Sequence, residues 1–213
     1  MEDLRPRLYL ISPPTFDLEE FETAFRKSLD GGDVACFQLR MKDQSSDDIR
    51  RAAEKLIPIA QANDVAFLLN DDPELAKSIG ADGVHVGQDD TPYKAARAIV
   101  GEDAIVGVTC HDSRHLAMLA AESGANYVAF GAFYPTETKV AKTSAAPEIL
   151  QWWSTMVETP SVAIGGITVD NAAPLIKSGA DFLAVSGGIW NYSEGPDKAV
   201  AEFNRVIELA VAT

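Results

Sequence analysis

The sequence contains few cysteines and few histidines. Its two cysteines, Cys36 and Cys110, have no spacing typical of a metal site, and we expect them to be reduced thiols of an intracellular protein. The three histidines are dispersed: we expect His85 to line a barrel, and His111 and His115 to stand at the start of a helix. None of them forms the Ser–His or Cys–His arrangement that nucleophilic catalysis uses, and none is assigned a catalytic role.

Positive charge and long apolar runs are also scarce. The chain of 213 residues has 18 Lys and Arg against 32 Asp and Glu, which gives a net charge of −14. This balance disfavours nucleic acid and anionic membranes as partners. No apolar stretch approaches the roughly 20 residues that cross a bilayer, and residues 1–6 lack the apolar segment of a signal peptide. We expect a cytoplasmic protein with small-molecule partners, and the sequence leaves open whether it forms homo-oligomers.

Eight short apolar runs, rich in β-branched residues, alternate with segments of helical periodicity. Continuous apolar runs are typical of parallel strands buried on both faces. The expected strands are residues 8–11, 34–39, 65–69, 83–86, 104–108, 127–130, 162–164 and 182–185. The expected helices are residues 17–29, 46–63 with Ser46 as N-cap, a short helix from Pro73, 92–100, 113–123, 147–158, 169–178 and 196–210. The alternation predicts an α/β fold, a single (β/α)8 TIM barrel in which residues 1–213 form one domain.

Glycines follow the last two expected strands, as Gly165-Gly166 and as Ser186-Gly187-Gly188. In barrels of this kind a phosphate site commonly lies in the loops after strands 7 and 8, where backbone N–H groups at helix N-termini face the anion. Taken alone, such a pair of glycines also fits a tight turn. The longest irregular stretch, about residues 131–146, follows strand 6 and is a candidate substrate lid.

Polar residues stand at the carboxyl ends of the other expected strands. Alternation along strand 2 sends Gln38, Arg40 and Lys42 to one side, which places an amide beside two cations. Thr109 ends strand 5, and the segment 135–139 after strand 6 ends in a lysine. Taken alone, Arg40 and Lys42 are more often a solvated strand end, and Lys139 in a polar loop is usually a surface residue. Their common position at one end of a barrel is what favours a binding site.

Acidic residues follow strands 3 and 4. Carboxylates from two neighbouring strand ends, with no cluster of Cys or His nearby, suit a hard cation such as Mg²⁺, which also binds substrate phosphates. An acidic pair before Pro or Thr is equally typical of a helix N-cap. The pattern therefore predicts a magnesium site but does not choose between Asp71 and Asp72, or between Asp89 and Asp90.

Six segments carry a resemblance to a known family: residues 38–42, 70–72, 83–90, 135–139, 163–167 and 185–186. With these segments in this order, the chain resembles the thiamine-phosphate synthases over essentially its whole length. The resemblance implies a Mg²⁺-dependent transferase that joins hydroxymethylpyrimidine diphosphate to a thiazole phosphate by a dissociative displacement. The products would be thiamine phosphate and diphosphate.

The resemblance also implies a role for particular residues. Those implied to bind the pyrimidine diphosphate are Gln38, Leu39, Arg40, Met41, Lys42, Asn70, Thr109 and Lys139. Those implied to act in catalysis are Arg40, Lys42, Thr109 and Lys139. Those implied to bind the thiazole phosphate are Thr136, Glu137, Thr138, Gly166, Val185 and Ser186. Mg²⁺ would be held by Asp71 and Asp90.

The chain departs from the family pattern at a few positions. Met41 replaces a common acidic residue, and alternation points it away from the site. Thr109 replaces a usual serine and keeps the hydroxyl group. Gly187-Gly188 and Gly131-Ala132 differ from the residues usual there, which leaves the form of the thiazole open.

Three other functions compete with this one. A thiazole tautomerase-like relative would bind the thiazole phosphate alone, and its metal and diphosphate residues would be lost. A non-catalytic regulatory protein on the same barrel would bury charges without a ligand to pair them, at a cost in stability. A different phosphate-binding barrel isomerase would need a general base at a strand end, and no residue there is a good candidate. All the charged residues that the resemblance to the thiamine-phosphate synthases implies are present.

Overall fold

The structure of the chain, a computed structural model, describes residues 5–136 and 143–212. Eight parallel strands close into a barrel in the order β1 to β8, with β1 paired to β8. The strands are β1 Arg7–Ile11, β2 Cys36–Leu39, β3 Ala66–Asn70, β4 Gly83–Val86, β5 Ile105–His111, β6 Tyr127–Gly131, β7 Ser161–Ile164 and β8 Phe182–Val185. The predicted TIM barrel is confirmed.

Helices follow the strands and surround the barrel. They are α1 Leu18–Leu29, α2 Ser46–Gln61, α3 Pro73–Ile79, α4 Tyr93–Val100, α5 Arg114–Glu122, α6 Glu148–Met156, α7 Ala173–Lys177, α8 Gly187–Trp190 and α9 Pro196–Val211. Over the described residues, none of these helices is long and apolar enough to span a bilayer.

Three local predictions differ from the structure. The N-cap of α2 is Ser45, whose side chain accepts from the Asp48 N–H, so the prediction of Ser46 was wrong by one residue. Strand β5 runs to His111, three residues beyond its expected end, so His111 belongs to the strand and not to the following helix. A short helix that was not expected, α8 Gly187–Trp190, directly follows β8 and precedes the expected last helix.

Alternation along the strands separates two apolar layers. Tyr9, Ile11 and Ala184 lie in the cluster inside the barrel, while Leu10 and Val185 lie in the larger cluster between the strands and the helices. In parallel barrels successive side chains face the lumen and the helices in turn. Only lumen-facing positions and backbone groups at the strand ends can therefore contact a ligand at the mouth of the barrel.

The barrel lumen accommodates the large ring of Tyr127 because β5 carries a glycine opposite it. A Cβ atom on Gly107 would lie 1.9 Å from the Cζ atom of Tyr127, a distance that no packed side chain tolerates. The Tyr127 ring meets Tyr9 edge to face at 5.8 Å between centroids and stacks on His85 at 5.6 Å. Polar aromatic groups thus fill the space directly beneath the mouth of the barrel.

Candidate active site

A cavity of about 310 Å³ opens at the carboxyl ends of the strands. Five residues predicted for the site line it: Arg40, Thr109, Thr136, Gly166 and Ser186. Its other walls combine backbone of the β6, β7 and β8 loops with the apolar side chains of Ile11, Ile164 and Ile167. The cavity is thus a partly apolar space with polar groups at its rim, which is typical of a site for a small ligand.

The loop after β7 is held against the loop after β6. The Phe133 N–H donates to the Ile164 carbonyl at 3.1 Å, and the Tyr134 N–H donates to the Gly165 carbonyl at 3.0 Å. Gly166 has a φ of +63°, and a Cβ atom there would lie 2.3 Å from the Pro135 carbonyl oxygen. Both the left-handed backbone and this close approach require glycine.

Asn171 fixes the far side of the same loop. Its side-chain Nδ2 donates to the Gly166 carbonyl at 3.0 Å, and its Oδ1 accepts from the Thr168 N–H at 2.8 Å. The Tyr134 hydroxyl donates to the Asn171 carbonyl at 2.8 Å. The loop after β7 and the loop after β6 are therefore connected by hydrogen bonds into one rim.

An acid–base cluster lies at the ends of β2, β3 and β4. Lys42 Nζ forms an ion pair with Asp71 Oδ2, and Asp90 Oδ2 accepts from the Gly87 N–H at 2.8 Å. Burial tends to raise the pKa of Asp71, but hydrogen bonds with Lys42 and Asp90 hold that pKa below its usual range. Burial and the adjacent Asp71 carboxylate raise the pKa of Asp90. The two carboxyl groups therefore lie close enough to shift each other's pKa in opposite directions.

The carboxyl pair suits a divalent cation. Two ionised carboxylates in contact repel each other unless a proton or a cation lies between them. Mg²⁺ typically uses one or two carboxylates and completes its shell with water and phosphate oxygens. Among residues 5–136 and 143–212 no group of three or more His, Cys, Asp or Glu could hold a metal, and a magnesium site of the two-carboxylate kind needs none.

Asp72 and Asp71 form different hydrogen bonds. Its Oδ1 accepts from the Leu75 N–H at 2.9 Å and caps α3. Asp71, with a φ of +69°, turns its carboxylate towards Lys42 and Asp90 instead. Of the two aspartates that the sequence left open after β3, the structure therefore brings Asp71 to the acid–base cluster.

Arg40 connects the cavity with the acid–base cluster. It lines the cavity, and its backbone N–H donates to the Ser12 hydroxyl at 2.9 Å. Burial lowers the pKa of the Arg40 guanidinium, and the Asp71 carboxylate acts in the opposite direction. A guanidinium remains charged under these conditions because its pKa lies far above neutrality. Arg40 is thus a fixed positive charge between the glycine rim and the carboxyl pair.

A chain of hydrogen bonds crosses the lumen below the cavity. Its members, which we call the lumen network, are Gln38, Tyr9, Tyr127, His85 and Thr109. Gln38 Nε2 donates to the Tyr9 hydroxyl at 2.6 Å, so this amide is engaged inside the barrel. At the other end His85 Nε2 lies 2.7 Å from Thr109 Oγ1, which also lines the cavity. The expectation that His85 lines the barrel is confirmed.

Some residues predicted from the resemblance face away from the cavity. Leu39 and Val185 are buried in the helix-facing apolar layer, and half-buried Met41 packs against the same layer, as its alternation predicted. Only their backbone groups could contact a ligand, and the predicted binding by Leu39 and Val185 stays a prediction. Asn70 ends β3 and is half-buried. The predictions for Glu137, Thr138 and Lys139 lie outside the described residues.

Four polar residues line the cavity without having been predicted: His111, Thr143, Thr168 and Asn191. His111 was placed on a helix start, although the apolar alternation from Val106 through Val108 and Cys110 would have extended β5 to it. The others follow glycine-rich or irregular segments, where no periodicity indicates which way a side chain points.

The fold and the site define a class: an enzyme built on a (β/α)8 barrel, with a glycine-rimmed cavity at the end where such barrels carry their chemistry. The model of the family described as thiamine monophosphate synthase matches residues 8–189. The chain therefore belongs to the thiamine monophosphate synthase family.

Individual proteins support this assignment. A thiamine-phosphate synthase from Rhodospirillum centenum is 64% identical over 94% of this chain and 97% of its own length. A thiamine-phosphate synthase from Hyphomonas neptunium is 51% identical over 96% of this chain and 95% of its own length. Among solved structures, a thiamine phosphate pyrophosphorylase from Pyrococcus furiosus superposes with a TM-score of 0.83 at 28% identity, over 96% of each chain.

Proposed function

We propose that this transferase joins hydroxymethylpyrimidine diphosphate to a thiazole phosphate, forming thiamine phosphate and releasing diphosphate. The single observation that carries the proposal is the position of Arg40, which lines the glycine-rimmed cavity and interacts with the Asp71 carboxylate. A phosphate-binding rim and a diphosphate-binding cluster are thereby adjacent at one mouth of the barrel. Two anionic substrates can meet there.

The thiazole phosphate would bind at the rim formed by the β6, β7 and β8 loops. Gly166 and Ser186 would provide backbone N–H donors, and the segment from Thr136 through Glu137 and Thr138 would complete the site. Backbone N–H groups bind a phosphate without adding charge to the site. The apolar walls of the cavity, which include Ile164, suit the thiazole ring.

The pyrimidine diphosphate would bind at the acid–base cluster. Arg40, Lys42 and Lys139 would meet the negative charge that develops on the leaving diphosphate. Asp71 and Asp90 would hold Mg²⁺, and the metal when bound would neutralise diphosphate oxygens. Placing Lys42 against Asp71 keeps both side chains oriented before any ligand arrives.

The displacement would be dissociative. The bond between the pyrimidine methylene carbon and the diphosphate oxygen breaks first, since the electron-rich aminopyrimidine ring can stabilise the cation that forms. The thiazole nitrogen then forms the new bond with its own electron pair. This path needs no protein nucleophile, so catalysis rests on positioning and electrostatics. A tautomerase-like relative would lack the acid–base cluster, whereas this chain has it.

The substitution Asp90→Asn tests the metal assignment. An asparagine retains an oxygen to accept the Gly87 N–H but removes the charge, so Mg²⁺-dependent turnover should fall at least about 100-fold, as expected for loss of a metal ligand. The matched control is Asp89→Asn, one residue earlier, which should keep turnover. Steady-state rates against Mg²⁺ concentration, with thermal unfolding of each variant, make the measurement. Full activity in Asp90→Asn would contradict the assignment.

We further propose a cytoplasmic location and small-molecule substrates, with no nucleic-acid or membrane partner. The net charge of −14 supports this, because polyanions would be repelled. Both cysteines are free thiols, which suits a reducing compartment.

A further inference from the structure

The groups of the lumen network differ in how many hydrogen bonds they can donate and accept. This difference fixes which group donates to which along the network. An amide nitrogen only donates, a phenol carries one proton, and a neutral imidazole has one donor and one acceptor nitrogen. Gln38 Nε2 donates to Tyr9, whose hydroxyl lies 2.9 Å from that of Tyr127. The Tyr127 hydroxyl in turn lies 2.8 Å from His85 Nδ1.

The direction propagates from the amide. Because the Tyr9 oxygen accepts from Gln38, its own proton goes to the Tyr127 oxygen. The Tyr127 proton then goes to His85 Nδ1, which must be the acceptor nitrogen of the ring. The His85 proton consequently sits on Nε2 and is donated to Thr109 Oγ1 at 2.7 Å.

Both phenols keep their protons, as this sequence of donors requires. Tyr9 and Tyr127 are 3% and 6% exposed. Burial raises the pKa of each phenol well above its usual range. Neither residue can therefore become an anion that accepts from both neighbours.

We propose that the lumen network fixes the Thr109 hydroxyl as a hydrogen-bond donor into the cavity. Thr109 Oγ1 accepts from His85, so its proton remains for a ligand. The ligand atom recognised there carries a lone pair. Resting on the proposed function, we assign that atom as a ring nitrogen of the aminopyrimidine, and Tyr9, Tyr127 and His85 act as positioning residues that reach the substrate only through Thr109.

Hydrogen bonds that run in the opposite direction along the lumen network would also satisfy every group. The experiment must exclude that arrangement. If the Gln38 amide were rotated, its oxygen would accept from Tyr9, and every bond along the chain would reverse. His85 would then carry its proton on Nδ1, and Thr109 would donate to His85 and offer only lone pairs to the cavity. The position of one proton on one ring thus separates the two arrangements.

The first test is ¹⁵N NMR of the ligand-free protein labelled at histidine, at a pH where the rings are neutral. The chain has only three histidines, so His111→Gln and His115→Gln assign the His85 signals without altering the lumen network. We expect a protonated Nε2 and an unprotonated Nδ1. A protonated Nδ1 would overturn the proposal. The result does not depend on turnover, so it can fail while the proposed function holds.

The second test is Tyr127→Phe, which removes the proton donated to His85 Nδ1. We expect kcat/KM for the pyrimidine diphosphate to fall about tenfold, as for loss of one oriented hydrogen bond, while KM for the thiazole phosphate stays unchanged. The matched control is Tyr93→Phe, a hydroxyl lost from α4, which should leave both constants unchanged. Equal losses for both substrates in Tyr127→Phe would indicate a general packing role and contradict the proposal.

Binding of two fragments identifies the ligand atom. The pyrimidine alcohol, which has no phosphate, should bind about tenfold more weakly to Thr109→Val than to the unaltered protein, and Thr109→Ser should restore the affinity. Inorganic diphosphate should bind equally to Thr109→Val and to the unaltered protein. Weaker binding of diphosphate alone would support a donor role with a phosphate oxygen as acceptor. Unchanged binding of both fragments would overturn the donor role itself.

Discussion

Burial governs the reactivity of individual residues in this protein. Cys36 and Cys110 are 8% and 0% exposed, one inside the barrel and one in the helix-facing layer. Burial raises the pKa of the Cys36 thiol and raises that of Cys110 to about 12. Since the thiolate is the reactive form, both cysteines should be inert in the folded state.

We therefore expect almost no reaction of the native protein with a disulfide reagent such as DTNB at mildly alkaline pH. In denaturing guanidinium, both thiols should react rapidly. The measurement is the number of thiols titrated in each condition. Rapid labelling of either cysteine without unfolding would show that the barrel opens locally, against the packing described above.

The sequence indicated single residues well where alternation or spacing applied. Met41 packs against the helix-facing layer as its position predicted, and Arg40 reaches the cavity. The lumen network was not predicted, because Tyr9 and Tyr127 stand in apolar runs 118 residues apart and appear as ordinary core aromatics. Only closure of the barrel brings their hydroxyls together.

At the scale of secondary-structure elements, a short repeated motif links each of three helices to the following strand. The three copies of the motif are Gly80-Ala81-Asp82, Gly124-Ala125-Asn126 and Gly179-Ala180-Asp181. In each copy the side chain of the third residue accepts a hydrogen bond from a backbone N–H of the preceding strand. The acceptor and donor residues are Asp82 and Phe67, Asn126 and Val106, and Asp181 and Ser161. The helix ends could be predicted from glycine, whereas these hydrogen bonds depend on strand pairing.

Two glycines allow the rim to be tested against a matched control. Gly166 and Gly80 have similar φ values, +63° and +71°, so an alanine at either site costs about 1 kcal/mol of backbone strain. A Cβ atom at Gly80 meets nothing within 4 Å, whereas one at Gly166 meets the Pro135 carbonyl oxygen. Gly166→Ala should therefore displace the rim and raise KM for the thiazole phosphate at least about tenfold.

Gly80→Ala should lower the melting temperature through backbone strain alone, and it should leave KM for the thiazole phosphate unchanged. Thermal unfolding and steady-state kinetics on both variants separate strain from loss of the site. If Gly166→Ala kept the KM of the unaltered protein, the phosphate would have to bind elsewhere.

For the whole molecule, the sequence predicted the closed barrel and the end that carries the site. The periodicities sufficed because each βα unit buries its own apolar faces in the same way. The side chains at the mouth were harder to assign, since strand ends and loops follow no period: β5 extends to His111, and Asp71 and not Asp72 joins the acid–base cluster. A net charge of −14 also means that the phosphates must be held by a few local groups and not by the overall field.

The central claim is that one mouth of this barrel binds both phosphorylated substrates and joins them. The direct measurement is thiamine phosphate formation by the purified protein from hydroxymethylpyrimidine diphosphate, thiazole phosphate and Mg²⁺, with and without EDTA. We predict product with Mg²⁺, none with EDTA, and recovery when excess Mg²⁺ is added. No product from protein that demonstrably binds the thiazole phosphate would contradict the claim and favour a tautomerase-like or regulatory role.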